Sequence, residues 1–130
     1  MATHTAAIFD LDGVIIDSGP LHMEAWKMVL EDNKVHFDEK QFRALYGMRD
    51  SEVIPRLIGI MGDEKIDTLK KQKGETYEKL IVHYARPMKG LAEFVAYLHH
   101  NNIRTTIASS ATPIVIAYML TAIEMADQFE

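Results

Sequence analysis

Two aspartates one residue apart and followed by a glycine, Asp10-Leu11-Asp12-Gly13, are the side chains of this sequence most clearly suited to chemistry. They follow a short apolar run, Ala6-Ala7-Ile8-Phe9, which reads as a buried strand bounded by turn signals. Along an extended strand, residues i and i+2 point to the same side. The spacing therefore lets both carboxylates face one small volume, although the turn at Gly13 can rotate the second. Carboxylates that close repel each other until a cation or a shared proton relieves them. A hard divalent ion, with oxygen ligands, answers that need. The plainer alternative is a strand that ends in an acidic turn, because Asp-Gly is a common turn pair. The strand before the pair and the second apolar run Val14-Ile15-Ile16 after it favour a site.

A second candidate lies far along the chain. Residues 103–108, Ile-Arg-Thr-Thr-Ile-Ala, are rich in β-branched side chains and read as another strand. Ser109-Ser110-Ala111 then forms a small-residue loop. Thr112 is suited to cap a helix with Pro113 at its first position, running to about Met125. Backbone N–H groups at such a helix start, with the positive end of the helix dipole, make an anion site. A serine before a helix is also, more simply, a cap. Both expected strands, 5–11 and 103–108, end in polar residues, and open α/β sheets bind ligands at the carboxyl ends of their strands.

The elements that must hold these residues are mostly helical. Gly19-Pro20 punctuates, and Met23, Trp26 and Leu30 then share one face of a helix over about 21–32. Asp38 is a good N-cap for a helix to about Tyr46, which Gly47 ends. Helical spacing resumes over 50–61 despite Pro55, which a first turn tolerates. A longer helix follows to about Tyr84, weakened by Gly74, with Lys70, Lys71 and Lys73 as its solvated face. Arg86-Pro87 marks a boundary. Residues 90–100 form another helix through Leu91, Phe94, Val95 and Leu98, stopped at Asn101-Asn102. An all-helical insertion thus separates the two strands, and the helix–strand–helix order of 87–125 is half of a doubly wound α/β sheet.

Composition sets outer limits. The 130 residues suit one ordinary domain, and 48% hydrophobic with 25% charged residues is typical of a soluble globular protein. A net charge of −5, with no basic patch interleaved with aromatics, argues against a nucleic-acid partner. The absence of cysteine excludes disulfides, thiolate metal sites and a cysteine nucleophile. The segment Met1 to Thr5 has no basic region typical of a secretory leader. The most apolar stretch, Ala111 to Ile123, is shorter than the ~20 residues a membrane span needs. A cytoplasmic protein without membrane or nucleic-acid contacts is expected.

At this point the residues resemble a known family. Phe9-Asp10-Leu11-Asp12-Gly13-Val14, a helical insertion after it, and Ile107-Ala108-Ser109-Ser110 at the end of the next strand are similar to the haloacid dehalogenase superfamily of phosphotransferases. Leu21-His22-Met23-Glu24-Ala25-Trp26-Lys27 and Tyr46-Gly47-Met48-Arg49-Asp50-Ser51 look like its β-phosphoglucomutase and sugar-phosphatase branch. The first motif is specific, the second much less so alone, and their order makes the match cover essentially the whole chain. The resemblance implies a Rossmann-like parallel core over 1–16 and 87–130, incomplete here, and a helical cap over 17–86. It implies Asp10 as the nucleophile that becomes an aspartyl-phosphate, and Asp12 as general acid and base. An aspartate at position 12 favours phosphoryl transfer over dehalogenation. Mg²⁺ would bind the Asp10 carboxylate and the Asp12 backbone carbonyl. Ser109, with Ser110 beside it, would bind phosphate, while His22 at the cap hinge and Arg49 in a cap loop would close the site around a small phosphorylated sugar.

The family pattern also contains a phosphate-binding lysine or arginine and a Gly-Asp acidic motif beyond the second strand. No residue before Glu130 matches either, so the resemblance implies a truncated form with little or no turnover, its first strand left with an open edge. Two other classes compete. One is a non-catalytic module that pairs, with itself or a partner, through that edge. The other is a phosphoaccepting receiver domain, which the insertion of about 70 residues disfavours because βαβ crossovers are usually short. Nothing in these residues separates mutase from phosphatase or names the sugar.

Overall fold

A computed structural model describes residues 5–130, so the first four residues of the expected core segment lie outside it. The elements are β1 (Ala6–Phe9), α1 (Gly19–Asp32), α2 (Glu39–Arg43), α3 (Asp50–Ile58), α4 (Asp63–Tyr84), α5 (Leu91–His100), β2 (Arg104–Ile107) and α6 (Pro113–Ala122), then a 3₁₀ turn at Ala126–Gln128. The result is a mixed α/β chain with a short parallel sheet and mostly helices, as the sequence implies. It divides into two compact units: the chain up to Ser18 with Ile81–Glu130, and Gly19–Leu80.

The first unit is built on β1 and β2, which pair in parallel with Ala6 opposite Arg104 and Phe9 opposite Ile107. Leu91, Val95 and Leu98 follow helical spacing, so α5 buries that stripe. Phe9 is buried and meets Phe94 and Phe129 edge-on, with ring centroids 6.1 and 5.7 Å apart. The neighbouring Ile8 departs from the buried strand expected, being 70% exposed. It lies on the opposite face of β1 from Phe9, because strand side chains alternate. The caps at the head of α6 form as expected, with Thr112 Oγ1 accepting from the Val115 amide at 3.4 Å and Pro113 in the first turn.

Both strands are shorter than the sequence suggests: β1 stops at Phe9 and β2 at Ile107. The second apolar run, Val14-Ile15-Ile16, lies outside both strands. The Ile15 and Ile16 amides both donate to the Leu11 carbonyl, at 2.9 and 3.0 Å, and fold the run back into a compact loop. Ile15 and Ile16 are fully buried there. The same loop is tied to the segment returning toward α5, because Asp17 N–H donates to the Arg86 carbonyl at 3.0 Å and Met88 N–H to the Ile15 carbonyl at 2.9 Å.

The second unit packs helices around Trp26, Leu30, Phe42, Val53, Ile54 and Leu69. Asp38 caps α2 as expected, its Oδ1 accepting from the Gln41 amide at 3.0 Å. That helix ends at Arg43 rather than Tyr46, and the chain turns through Gly47 at φ +82°. α3 ends at Ile58, three residues before the expected limit, because Gly59 takes a left-handed φ of +90°. Pro55 is the sixth residue of α3 rather than a first-turn residue. It removes one helix-interior N–H, and the helix stops a turn later.

Candidate active site

The loop that follows β1 carries Asp10 and Asp12. Leu11 between them is fully buried, while both aspartates are exposed. The alternation predicted for a strand therefore persists past the strand's end, and an anchored leucine turns both carboxylates outward. Gly13 at φ +72° closes the turn, its amide donating to the Ile16 carbonyl at 2.8 Å. An L side chain at that φ is strained, so glycine suits the position. Asp10 Oδ1 accepts the Leu11 amide at 2.7 Å, which fixes one oxygen of the carboxylate.

Ser109 and Ser110 follow β2. The Ala108 amide donates to the Phe9 carbonyl at 2.9 Å, so Asp10 and Ser109 leave adjacent strands at the same, carboxyl end of the sheet. Adjacent strands lie about 4.8 Å apart, so the two loops are neighbours. Ser109 is half-buried and its Oγ accepts the Ala111 amide at 3.1 Å. The hydroxyl hydrogen is a further donor, which an anion can accept. Ser110 is exposed beside it, ahead of the capped start of α6. The first unit thus brings together two carboxylates, a hydroxyl and a helix N-terminus.

Hard oxygen donors of this kind suit Mg²⁺, which is commonly held by one or two carboxylates with the rest of its shell from water and phosphate. The Asp10 carboxylate and the Asp12 carbonyl fit that donor set. Among the described residues no cluster of three or more His, Cys, Asp or Glu side chains joins them. The donors present make part of a shell.

His22 and Arg49 belong to the second unit. His22 lies in the first turn of α1 and stacks on Tyr77 of α4, the ring centroids 4.1 Å apart and the planes 9° from parallel. Arg49 is the exposed N-cap residue of α3, and its amide donates to Glu52 Oε2 at 3.1 Å. The next residue, Asp50, pairs with Lys73 of α4 at 3.3 Å.

Lys73 corrects the sequence reading, which gave it to a solvated face. It is only 7% exposed, and its Nζ lies 5.0 Å from the centre of the Tyr77 ring. Lys70 and Lys71 are on the surface as expected, each paired with an acidic residue of its own helix. The signal for Lys73 was present: Leu69, Lys73 and Tyr77 are spaced by four and share one buried stripe of α4.

Comparison with known proteins fits this architecture. Residues 7–130 match the family described as haloacid dehalogenase-like hydrolase. A phosphorylated carbohydrates phosphatase of Thermotoga maritima is 26% identical over 106 residues, covering 81% of this chain and 49% of that protein. A β-phosphoglucomutase of Bacillus subtilis is 32% identical over 114 residues, covering 82% of this chain and 50% of that protein. The crystal structure of a haloacid dehalogenase hydrolase of family IA, variant 3, from Entamoeba histolytica superposes with a TM-score of 0.81 at 22% identity, over 97% of this chain and 58% of its own. The chain spans about half the length of the curated relatives it matches. A β-strand that hands two outward carboxylates to a tight glycine turn, beside a serine loop on the parallel neighbour, is thus found in a chain that belongs to the haloacid dehalogenase-like hydrolase family.

Proposed function

We propose that this chain carries the phosphoryl-transfer half-site of a Mg²⁺-dependent phosphatase or phosphomutase acting on a small phosphorylated sugar. The observation that carries the reading is the pair Asp10 and Asp12, exposed on either side of buried Leu11, at the same sheet end as Ser109. In this reading the Asp10 carboxylate oxygen not held by the Leu11 amide attacks phosphorus, and the bond from phosphorus to the sugar oxygen breaks. Asp12 gives its proton to that departing oxygen. It then takes a proton from water or a second sugar hydroxyl, which attacks the aspartyl-phosphate and frees Asp10. Ser109 and the N–H groups at the head of α6 hold the phosphoryl oxygens. Mg²⁺ held by the Asp10 carboxylate and the Asp12 carbonyl would supply charge neutralisation at the phosphoryl group.

The unit holding the sheet acts as the core, over 1–16 with 87–130, and the helical unit as the cap, over 17–86. His22 and Arg49 contact the sugar phosphate from the cap. The relatives named for phosphorylated carbohydrates and β-phosphoglucomutase support a sugar phosphate as the substrate class. With part of a metal shell among the described residues, this chain alone turns over slowly or not at all, and a cytoplasmic location suits such a substrate. The test is covalent trapping: incubation with a sugar phosphate or acetyl phosphate and Mg²⁺, then borohydride reduction, marks an acyl-phosphate at Asp10 and leaves Asp10→Asn unmarked.

One observation favours a second reading, a non-catalytic module that pairs through a sheet edge. The Thr5 and Phe9 carbonyls accept from β2, so those of Ala6 and Ile8 point to the other edge of β1, which carries neither charge nor proline. Sedimentation equilibrium decides it: a defined dimer that never labels at Asp10 supports the module, and a monomer rules out its self-pairing form.

A further inference from the structure

We infer that the outer face of α6 docks a second copy of this chain, α6 against α6 and antiparallel, about a two-fold axis at Ala117 and Tyr118. The inference stands apart from the phosphoryl-transfer reading.

No residue from Thr105 to Ile123 is charged, in a chain where charged residues make up 25%. α6 lies wholly inside that stretch. A helix that is apolar all round is ordinarily covered all round. Here one side is covered, with Met119, Leu120 and Ile123 buried. On the opposite side Ile114 is 70% exposed and Tyr118 59%, and Ala117 and Thr121 are exposed with them. These four recur at i, i+3, i+4 and i+7, so they form one continuous outer stripe.

Shape and charge both select a second copy as the occupant. Beside Ala117 and Thr121 runs a groove of about 340 Å³, lined also by Ile116, Leu120 and Phe129. The large projecting side chain, Tyr118, sits one residue from the small Ala117 at the groove's rim. A two-fold axis between positions 117 and 118 therefore turns Tyr118 of each copy toward the groove of the other. It also sets Ile114 against the partner's Thr121. A projection and its receptor side by side on one helix are what such a self-complementary contact needs. At a net charge of −5, two copies repel unless they meet where neither carries charge, and this stripe is such a place. Antiparallel helices also oppose their dipoles favourably. A lipid surface fits less well, because the stripe lacks the basic residues that hold headgroups. Stripe and groove offer roughly 500 Å² per copy, the low end for a specific contact, so the dimer is reversible with a dissociation constant on the order of tens of micromolar.

Sedimentation velocity of the 130-residue protein, from about a tenth to ten times that concentration, tests this. We expect a reversible monomer–dimer transition. Tyr118→Lys should weaken it at least about tenfold, by bringing a positive charge from each copy to the axis, and Ile114→Asp should act likewise. Both positions are exposed, so both variants should melt like the wild type. The chain has no cysteine, so Ala117→Cys gives each copy one thiol near the axis. A short bismaleimide should join two copies of Ala117→Cys and leave Lys70→Cys, exposed in the other unit, unjoined. A protein that stays monomeric throughout overturns the inference. So does a dimer that survives both Tyr118→Lys and Ile114→Asp, which would belong to the β1 edge instead. A dimer sensitive to Tyr118→Lys but without the Ala117→Cys crosslink would contradict the two-fold placement. Flotation with phosphatidylcholine vesicles that Tyr118→Lys abolishes, with no dimer in solution, would give the stripe to lipid and likewise overturn it.

Discussion

The Ala108 amide, one residue past the end of β2, donates to the carbonyl of Phe9, the last residue of β1, at 2.9 Å. That bond belongs to a parallel ladder, and the parallel direction is what makes the site. Antiparallel pairing would send the Asp10 and Ser109 loops to opposite ends of the sheet. In parallel they leave together, and the intervening helical chain pays for nothing but the crossover that parallel strands require. The connection is long here because a whole helical unit, Gly19–Leu80, sits within it.

Asp10 and Asp12 are exposed, and substitutions at such positions usually change stability by about 0.5 kcal/mol or less. Asp10→Asn and Asp12→Asn should therefore melt like the wild type in a thermal scan. Asp10→Asn should lose covalent labelling completely. Asp12→Asn should still form the acyl-phosphate from acetyl phosphate, whose leaving group needs little protonation, and should fail with a sugar phosphate. Equal labelling by both donors in Asp12→Asn would remove Asp12 from the acid role.

Leu11 is fully buried between the two carboxylates. Truncation of a buried leucine to alanine costs about 2–5 kcal/mol. Leu11→Ala should lower the urea midpoint accordingly and, by loosening the turn, reduce labelling of Asp10 in protein that remains folded. A loss in stability under about 1 kcal/mol would mean that Leu11 is not the anchor.

Lys73 and Lys70 lie on the same helix in opposite surroundings. Lys73→Ala leaves the Asp50 carboxylate, itself 31% exposed, without its partner and should cost about 1–3 kcal/mol. Lys70→Ala removes an exposed i,i+3 pair and should change stability by about 0.5 kcal/mol or less. Urea denaturation of the two variants side by side checks the contrast, and equal effects would contradict it.

Arg104 donates through Nε to Glu130 Oε2 at 2.8 Å and holds that carboxyl below the ordinary glutamate range, chiefly by the hydrogen bond. A pKa depressed on folding stabilises above the unfolded value, and the stabilisation is lost as pH falls through the folded one. Both side chains are exposed, so salt screens the pair and the effect on stability is small. The sensitive readout is an NMR titration of Glu130. Its midpoint should lie below that of ordinary glutamate and rise in Arg104→Gln; a midpoint unmoved by the substitution would contradict the assignment.

Local sequence signals located most elements because each has a local cause. The apolar run before Asp10, the Asp38 cap and the Thr112-Pro113 start of α6 all act within a few residues, and the structure carries each of them. The ends of elements were less legible, since they depend on where a left-handed residue such as Gly59 falls. Ile8 was expected inside and is outside, because strand composition does not say which face a neighbour covers. The aspartate pair was legible as a motif. The loop that aims it was not, since it rests on the bonds from Ile15 and Ile16 to the Leu11 carbonyl together with the tertiary burial of both side chains. Lys73 was misread for a related reason: charge suggested solvent, and only the packed Tyr77 and Asp50 show why it is inside.

The most direct test of the half-site is residue-level mass spectrometry after borohydride trapping in acetyl phosphate and MgCl₂. The expected result is one reduced acyl-phosphate, at Asp10, that disappears in Asp10→Asn and when EDTA removes the metal. Labelling at another carboxylate, or none at Asp10 in protein shown to be folded, would contradict the assignment of Asp10 as the nucleophile.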